Sequence, residues 1–418
     1  MNSAVSLPWF TFRYRDDPLS RLRREAYALQ SARHPISARR RVTKALSWPL
    51  KAARQAWRVS GLWAAEARAL GAPPRFAQAI AIWRLNVRYN INFQVYYLHK
   101  LWRKRAGVST SDWMDGWDTY LIYELFSARR GISTLNDKLA FDSFCRQHDL
   151  SRLPVIAVVT SAGDIDWQQE DRRLPPADLF VKPVGGALGR GTMVFTYEQD
   201  RQCWLDEGQA LDQAELLESL RGRAHGAGLL VQQRARNHPQ LADASPDALC
   251  TVRCVTYRFQ NESARHFRSA LRMARRGHIV DHSVHGAVYA AVDDEGFLRN
   301  VRDRHIDGSL ERHPDTDAQI AGRQLPEYQA MKALAMRAHD ALGNAGIICW
   351  DVGLLPEGPV LVEGNSKGNL GFTQAAMDEP LGKSEYVSIA VRLAAEAATD
   401  SDIAETPNPG APDLSTSD

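Results

Sequence analysis

Asp351, Glu363 and Asn365 stand in the stretch CWDVGLLPEGPVLVEGN, residues 349–365. Val360, Leu361 and Val362 read as a buried strand, and Pro356, Glu357 and Gly358 fit a three-residue hairpin loop with glycine in the left-handed position. That loop sets Leu355 against Pro359 and, four places back along each strand, Asp351 against Glu363. Facing residues of a hairpin share a side, with Cβ atoms about 5 Å apart, and Asn365 joins that side by the strand period of two. Two carboxylates held so close repel each other unless a cation lies between them. A hard divalent cation bound by two carboxylates and an amide oxygen, with phosphate oxygens completing an octahedron, meets that need. The alternative is a solvent-facing acidic hairpin, and a one-residue slip of register would part the carboxylates.

Phosphate chemistry has a second possible source in DLFVKPVGGALGRGTMVF. A buried strand carries Lys182, and a loop holding Gly185, Gly186, Gly189 and Gly191 precedes the next strand. Lys182 is not followed by Ser or Thr and no helix comes next, so this is no Walker A loop. Backbone amides of a glycine-rich hairpin can still close over phosphates while Lys182 supplies a point charge; the plain alternative is a turn. Lys138 lies at the start of a helix opened by Asn136 or Asp137, where the helix dipole favours an anion, and its alternative is a surface lysine. Arg253 interrupts the apolar strand TVRCVTYR and either pairs with a carboxylate or faces an anionic ligand.

These residues must be positioned by the rest of a 418-residue chain, 44% hydrophobic and 24% charged, a composition that supports two or three cored domains. The net charge of +3 conceals +17 over residues 1–105 and −14 over the remainder. Residues 1–130 are helical in pattern, with Arg and eight of the 11 Trp interleaved. From residue 131 short strands appear: PVIAVVT, DLFVKPV, GTMVFTY, GLLVQQ, TVRCVTYRF, HGAVYAAVD, CWDVGLL and PVLVEGN. One good helix, EYQAMKALAMRAHDALGNAG, lies among the later ones, which makes an α+β body. Residues 399–418 read as a disordered tail. No apolar run reaches the roughly 18–20 residues of a membrane span and no signal peptide is evident, so a cytoplasmic chain is expected. The five scattered cysteines point to reduced thiols, and the histidines at 266, 278, 282, 285, 305 and 313 match no standard zinc spacing.

In order and spacing, NDKLAF, LFVKPVGGALGRG, LLVQQRARNHPQL, TVRCVTYR, ALRMARRG, HPDT, WDVGLLPEGPVLVEGN and Gln374 resemble the ATP-grasp superfamily. Within it they resemble the sugar-transfer associated ATP-grasp family, related to α-L-glutamate ligases, over about residues 131–390. The resemblance implies an ATP-grasp fold, two α+β lobes gripping ATP, at 131–232 and 233–398, after the basic helical region 1–130. It implies that Lys138, Lys182, Gly186 and Gly189 contact the phosphates and that Gln232, Gln233 and Arg234 line the adenine slot. Asp351, Glu363 and Asn365 would bind Mg²⁺ and Arg253 would steady the transferring phosphoryl group. Gln232 and Gln233 stand where the superfamily often has an acidic residue, Cys250 replaces an Asn and His282 another, and the N-terminal region departs from the usual small α/β domain.

The expectation is therefore a carboxylate–amine ligase using ATP and Mg²⁺ through an acylphosphate, in cell-envelope or exopolysaccharide metabolism, with Arg272 and His313 contacting substrate. An ATP-grasp kinase acting on a hydroxyl, for which Asp281 or His313 offers a base, is the nearest alternative. A nucleotide-gated adaptor is a third. The basic region is either a set of solvated helices packed on the body or a contact with an anionic membrane. Nucleic acid is disfavoured because no binding fold for it is recognised.

Overall fold

The fold is that of a computed structural model, which describes residues 16–126, 132–185, 190–226, 228–281, 286–303 and 309–399. The expected tail beyond Thr399, the glycines at 186 and 189, and the histidines at 282, 285 and 305 lie outside the described residues.

Two antiparallel sheets organise the body. The first comprises β1 (Val155–Val159), β2 (Ile165–Trp167), β3 (Leu179–Pro183), β4 (Met193–Glu198), β5 (Cys203–Asp206), β6 (Gln209–Leu211) and β7 (Leu229–Gln233), in spatial order β2-β1-β7-β3-β4-β5-β6. The second comprises β8 (Thr251–Arg258), β9 (Arg265–Met273), β10 (Val288–Val292), β11 (Leu298–Arg302), β12 (Gly346–Leu355) and β13 (Gly358–Asn365), in order β11-β10-β9-β8-β12-β13. Each sheet carries helices, so the body is α+β with two lobes.

β8 and β12 are buried on both faces, which is why they read as nearly continuous apolar runs. One face, through Val252, Cys254, Ile348, Trp350 and Val352, packs against Met331, Leu334, Ala335 and Ala338 of the helix Tyr328–Leu342. The opposite face, through Val255, Tyr257, Ile347 and Cys349, is covered by the helices Pro18–Arg33, Gly116–Tyr123 and Tyr386–Thr399. The start of the basic region is thus part of the core of the second lobe. Its first helix opens with Asp17 as N-cap, accepting from the Ser20 backbone N–H, and Pro18 at N1.

Arg23 shows how tightly that helix is tied in. Its guanidinium is buried and donates to the Ser111 carbonyl at 2.8 Å, the Trp113 carbonyl at 3.1 Å and the Asp118 carboxylate at 2.7 Å. Gln374 clasps the same region: its amide accepts from the backbone N–H of Met114 and Leu381 and donates to the Met114 carbonyl at 2.7 Å. This residue of the resembling set is a buried strut.

Residues 38–105 form a further helical layer, where the helix Ala38–Ala69 packs through Trp48, Ala52, Ala56 and Val59 against Ile82 and Leu85 of the helix Arg75–Tyr89. Among the described residues, no helix is long and apolar enough to cross a membrane. All five cysteines are free and buried.

Replacing Arg23 by Ala leaves the Asp118 carboxylate buried without its cation. The expected loss is about 3–5 kcal/mol of stability, read as a lowered midpoint in chemical denaturation. A midpoint like that of the wild type would show that the first helix is not integral to the second lobe.

Candidate functional site

Strand alternation explains how an acid comes to stand in the middle of a dry strand. On β12, Ile347, Cys349 and Asp351 share one face, and on β8, Tyr257, Val255 and Arg253 share the matching one. Towards Arg253 and Asp351 that face leaves the apolar core and becomes the floor of a cleft between the lobes. Pairing sets Arg253 opposite Asp351 and Asp351 opposite Glu363, a row of one cation and two carboxylates across three neighbouring strands.

The hairpin reaches this register differently from the three-residue loop expected. Its loop has two residues, Pro356 and Glu357, with Leu355 paired to Gly358 rather than to Pro359. That turn alone would set Asp351 against Val362. A β-bulge between Leu361 and Glu363 inserts one extra residue and restores the Asp351–Glu363 pair. Asn365 lies on the same side and donates from Nδ2 to Glu363 Oε1 at 3.1 Å, leaving its amide oxygen as the acceptor end.

Asp351 is 1% exposed and held by two guanidiniums. Arg253 donates from Nε to Oδ1 at 2.6 Å and from Nη2 to Oδ2 at 3.0 Å, and Arg272 from β9 reaches Oδ2 at 2.9 Å. Burial pushes this carboxyl up, but the two guanidiniums more than offset it and hold it well below the usual carboxylate range. Glu363 behaves oppositely: crowding by protein around the cleft, then the charge of Asp351 opposite, raises its carboxyl above the usual range. Arg272 also donates to the Thr251 hydroxyl at 2.7 Å, and that hydroxyl donates to Asp281.

The facing wall belongs to the first lobe. Lys182 on β3 is held down to about 8, first by burial; the Glu363 charge opposes this and that of Lys138 adds to it. Lys138 is the first residue of the helix Lys138–Gln147, capped by Asp137, and donates to the carbonyls of Pro183 at 3.0 Å and Val184 at 2.8 Å. It therefore fastens this helix to the base of the loop after β3.

Two adjoining hollows fill the cleft and share Lys138, Lys182, Gln232, Arg272 and Glu363. The first runs along Phe180, Gln232, Gln233 and Arg234 to Leu249, Ile279 and Val280, a mixed polar and apolar slot. Gln232 is buried and donates to the Leu153 carbonyl at 2.7 Å, while its amide oxygen has no partner there. The backbone N–H of Arg234 donates to the Asp178 carbonyl at 2.8 Å. The second hollow lies towards Asn365 and is lined by Lys138, Arg152, Lys182, Arg253, Arg272 and Lys367, against only Asp142 and Glu363 among acids. Arg152 and Lys367 carried no sequence signal, since each is a single cation in an irregular segment.

The structure thus brings together Lys138, Lys182, Gln232, Gln233, Arg234, Arg253, Arg272, Asp351, Glu363 and Asn365. His313 is not among the residues lining either hollow; it is buried in a turn, where its backbone N–H donates to the Ala318 carbonyl. Arg275, two residues beyond β9, is engaged by Asp315 through two bonds of 2.6 Å. Among the described residues, no three His, Cys, Asp or Glu side chains gather in a metal-binding group. A cation here would be held by two carboxylates and an amide, with the remaining oxygens supplied by a ligand. Mg²⁺ is commonly bound this way, and the raised carboxyl of Glu363 marks where a positive charge is wanting, so the donor set fits that ion.

No protein of curated function matches the sequence. Among solved structures, the D-alanyl-alanine synthetase A of Vibrio cholerae is 12% identical, with a TM-score of 0.38 over 64% of this chain and 66% of that one. The L-amino acid ligase of Bacillus licheniformis is 16% identical, with a TM-score of 0.34 over 59% and 43%. The D-alanine–D-alanine ligase of Bacillus anthracis, complexed with ATP, is 13% identical, with a TM-score of 0.34 over 63% and 65%. The chain spans less than two thirds of each. A family model described as sugar-transfer associated ATP-grasp matches residues 121–387, more than half of the chain. The chain belongs to the sugar-transfer associated ATP-grasp family.

Proposed function

We propose that this ATP-grasp protein is an Mg²⁺-dependent carboxylate–amine ligase that forms ADP, phosphate and an amide. The observation that carries this reading is the second hollow, whose lining holds six cationic side chains, Arg152 paired with Asp142, Lys367 with Glu124 and Arg253 and Arg272 with Asp351, against Glu363 as its one further acid. A γ-phosphate and a substrate carboxylate are both anions, and a site that brings them into line must offset their repulsion.

Asp351, Glu363 and Asn365 would hold Mg²⁺, whose chemistry is to draw charge from the phosphate oxygens during transfer. Gln232, Gln233 and Arg234 would line the adenine end, with Lys138 and Lys182 towards the phosphates. Arg253 and Arg272 fix the position of Asp351 and present the remaining faces of their guanidiniums to the acceptor end. A substrate carboxylate oxygen attacks the γ-phosphorus as the bond to the ADP oxygen breaks, giving an acylphosphate. An amine then attacks the acyl carbon, phosphate departs with the C–O bonding pair, and the nitrogen loses a proton. The family's association with sugar transfer supports a place in cell-envelope or exopolysaccharide metabolism. The kinase alternative has a weaker basis. Asp281 is engaged by Thr251 and Arg272 and lines the slot rather than the cationic hollow, and His313 lines neither.

Turnover in the presence of hydroxylamine should trap the acylphosphate as a hydroxamate, with free phosphate released in step with ADP. A product carrying stable phosphate on a hydroxyl, with no hydroxamate, would show that the chain is a kinase. Glu363→Gln should lower turnover by at least about two orders of magnitude. Its thermal midpoint should be unchanged or raised, because the substitution removes a charge whose ionisation the fold opposes. Retained turnover would remove Glu363 from the metal set.

Lys182 supplies a pH dependence. Its folded value of about 8 lies below the ordinary 10.5, so the lysine loses its proton as pH rises through about 8. An arriving polyphosphate favours the charged form, so binding takes up protons and affinity falls above that pH. Calorimetry of MgATP binding at pH 8.5, in buffers of differing ionisation heat, should read net proton uptake that Lys182→Arg abolishes. Equal uptake by both proteins would show that another group is responsible.

A further inference from the structure

The helix Ala38–Ala69 covers the helix Arg75–Tyr89 with one face only. Its other side carries large apolar residues in water: Val42 is 58% exposed, Leu46 78%, Leu50 71% and Trp57 49%. At 100° per residue these four lie within an arc of about 80°, a single stripe along the helix. Phe76, 67% exposed, starts the neighbouring helix. It follows Arg75, whose guanidinium lies over the Trp57 ring at 4.1 Å. Arg40, Lys44, Lys51, Arg54 and Arg58 are also exposed and occupy the next arc of the same helix. Over residues 38–69 there are eight Lys and Arg against the single acid Glu66.

We infer that this face is a docking surface for an anionic lipid bilayer, on which the helix lies in the interfacial plane. An apolar stripe flanked along its length by long basic side chains places the aliphatic groups and the indole at acyl depth. The cations then reach the headgroups from beside it. The charge argues against the other occupants. A second copy docked on the same face would bring one strongly basic helix against another across a two-fold axis. A nucleic acid would engage the cations but leave the four aliphatic and aromatic side chains without an apolar partner. A bilayer satisfies both arcs at once. The surface is separate from the cleft, so the inference stands or falls independently of the proposed ligase activity.

The full chain should float with vesicles containing phosphatidylglycerol at low ionic strength. It should stay behind with pure phosphatidylcholine, and high salt should release it. Leu46→Glu with Leu50→Glu replaces only exposed side chains, so circular dichroism should be unchanged while flotation falls by more than about tenfold. Reversing Lys51, Arg54 and Arg58 to Glu should have a similar effect. Failure of the native chain to float at low salt, or flotation untouched by the Leu46/Leu50 pair, would overturn the inference. So would a lipid-free dimer that the same pair dissolves, or a labelled oligonucleotide bound equally by the native chain and that pair.

Discussion

The ionic contact of Asp351 with Arg253 and Arg272 is the constraint on which the rest of the site depends. A carboxylate at 1% exposure is tolerable only beside compensating charge, and the sheet supplies it from two neighbouring strands. β8 sets Arg253 directly opposite, and β9 sends Arg272 from beside Thr251. With Asp351 held in its ionised form, Glu363 across the hairpin meets a fixed negative charge. Burial first, and then that fixed charge, raise the carboxyl of Glu363 above the usual range.

The lobes meet across this feature. Lys182 and Lys138 come from the first lobe, the charged row from the second, and each lysine is influenced by Glu363. The floor is rigid because its strands are buried on both faces, one under the helix Tyr328–Leu342 and the other under helices from the two ends of the chain. Gly368 shows how closely the segment after the hairpin is folded back: a Cβ there would come within 2.3 Å of the Cys349 sulfur. The basic N-terminal region therefore has two parts, a first helix built into the core and a later layer with an outward face of its own.

How much of this was legible in the sequence depended on how each element is buried. β1, β3, β7, β8, β12 and β13 are strands with dry faces, and their apolar runs betray them. β9 was not legible, because RHFRSALRM carries its arginines at 265, 268 and 272, spacings of three and four that break the strand period of two, and Arg272 is required by Asp351 rather than by solvent. The short strands β5 and β6 and the helix Gln213–Arg223 lie in a polar segment whose few apolar residues, Trp204, Leu216, Leu217 and Leu220, give too weak a period. The facing of Asp351 and Glu363 was legible, yet the turn was not: a two-residue loop and a bulge reach the register that a three-residue loop would give. Pairing of Arg253 with a carboxylate was one of its two sequence-level alternatives, but the identity of that carboxylate required the order β9-β8-β12-β13, which no local pattern encodes.

The central claim is that the paired carboxylates make nucleotide binding depend on a divalent cation. Isothermal titration of ATP into the full chain, once with Mg²⁺ and once with a chelator, tests it most directly. The account predicts saturable binding with Mg²⁺ and a loss of at least about tenfold in affinity without it. Equal affinity under both conditions, or no binding under either, would contradict it.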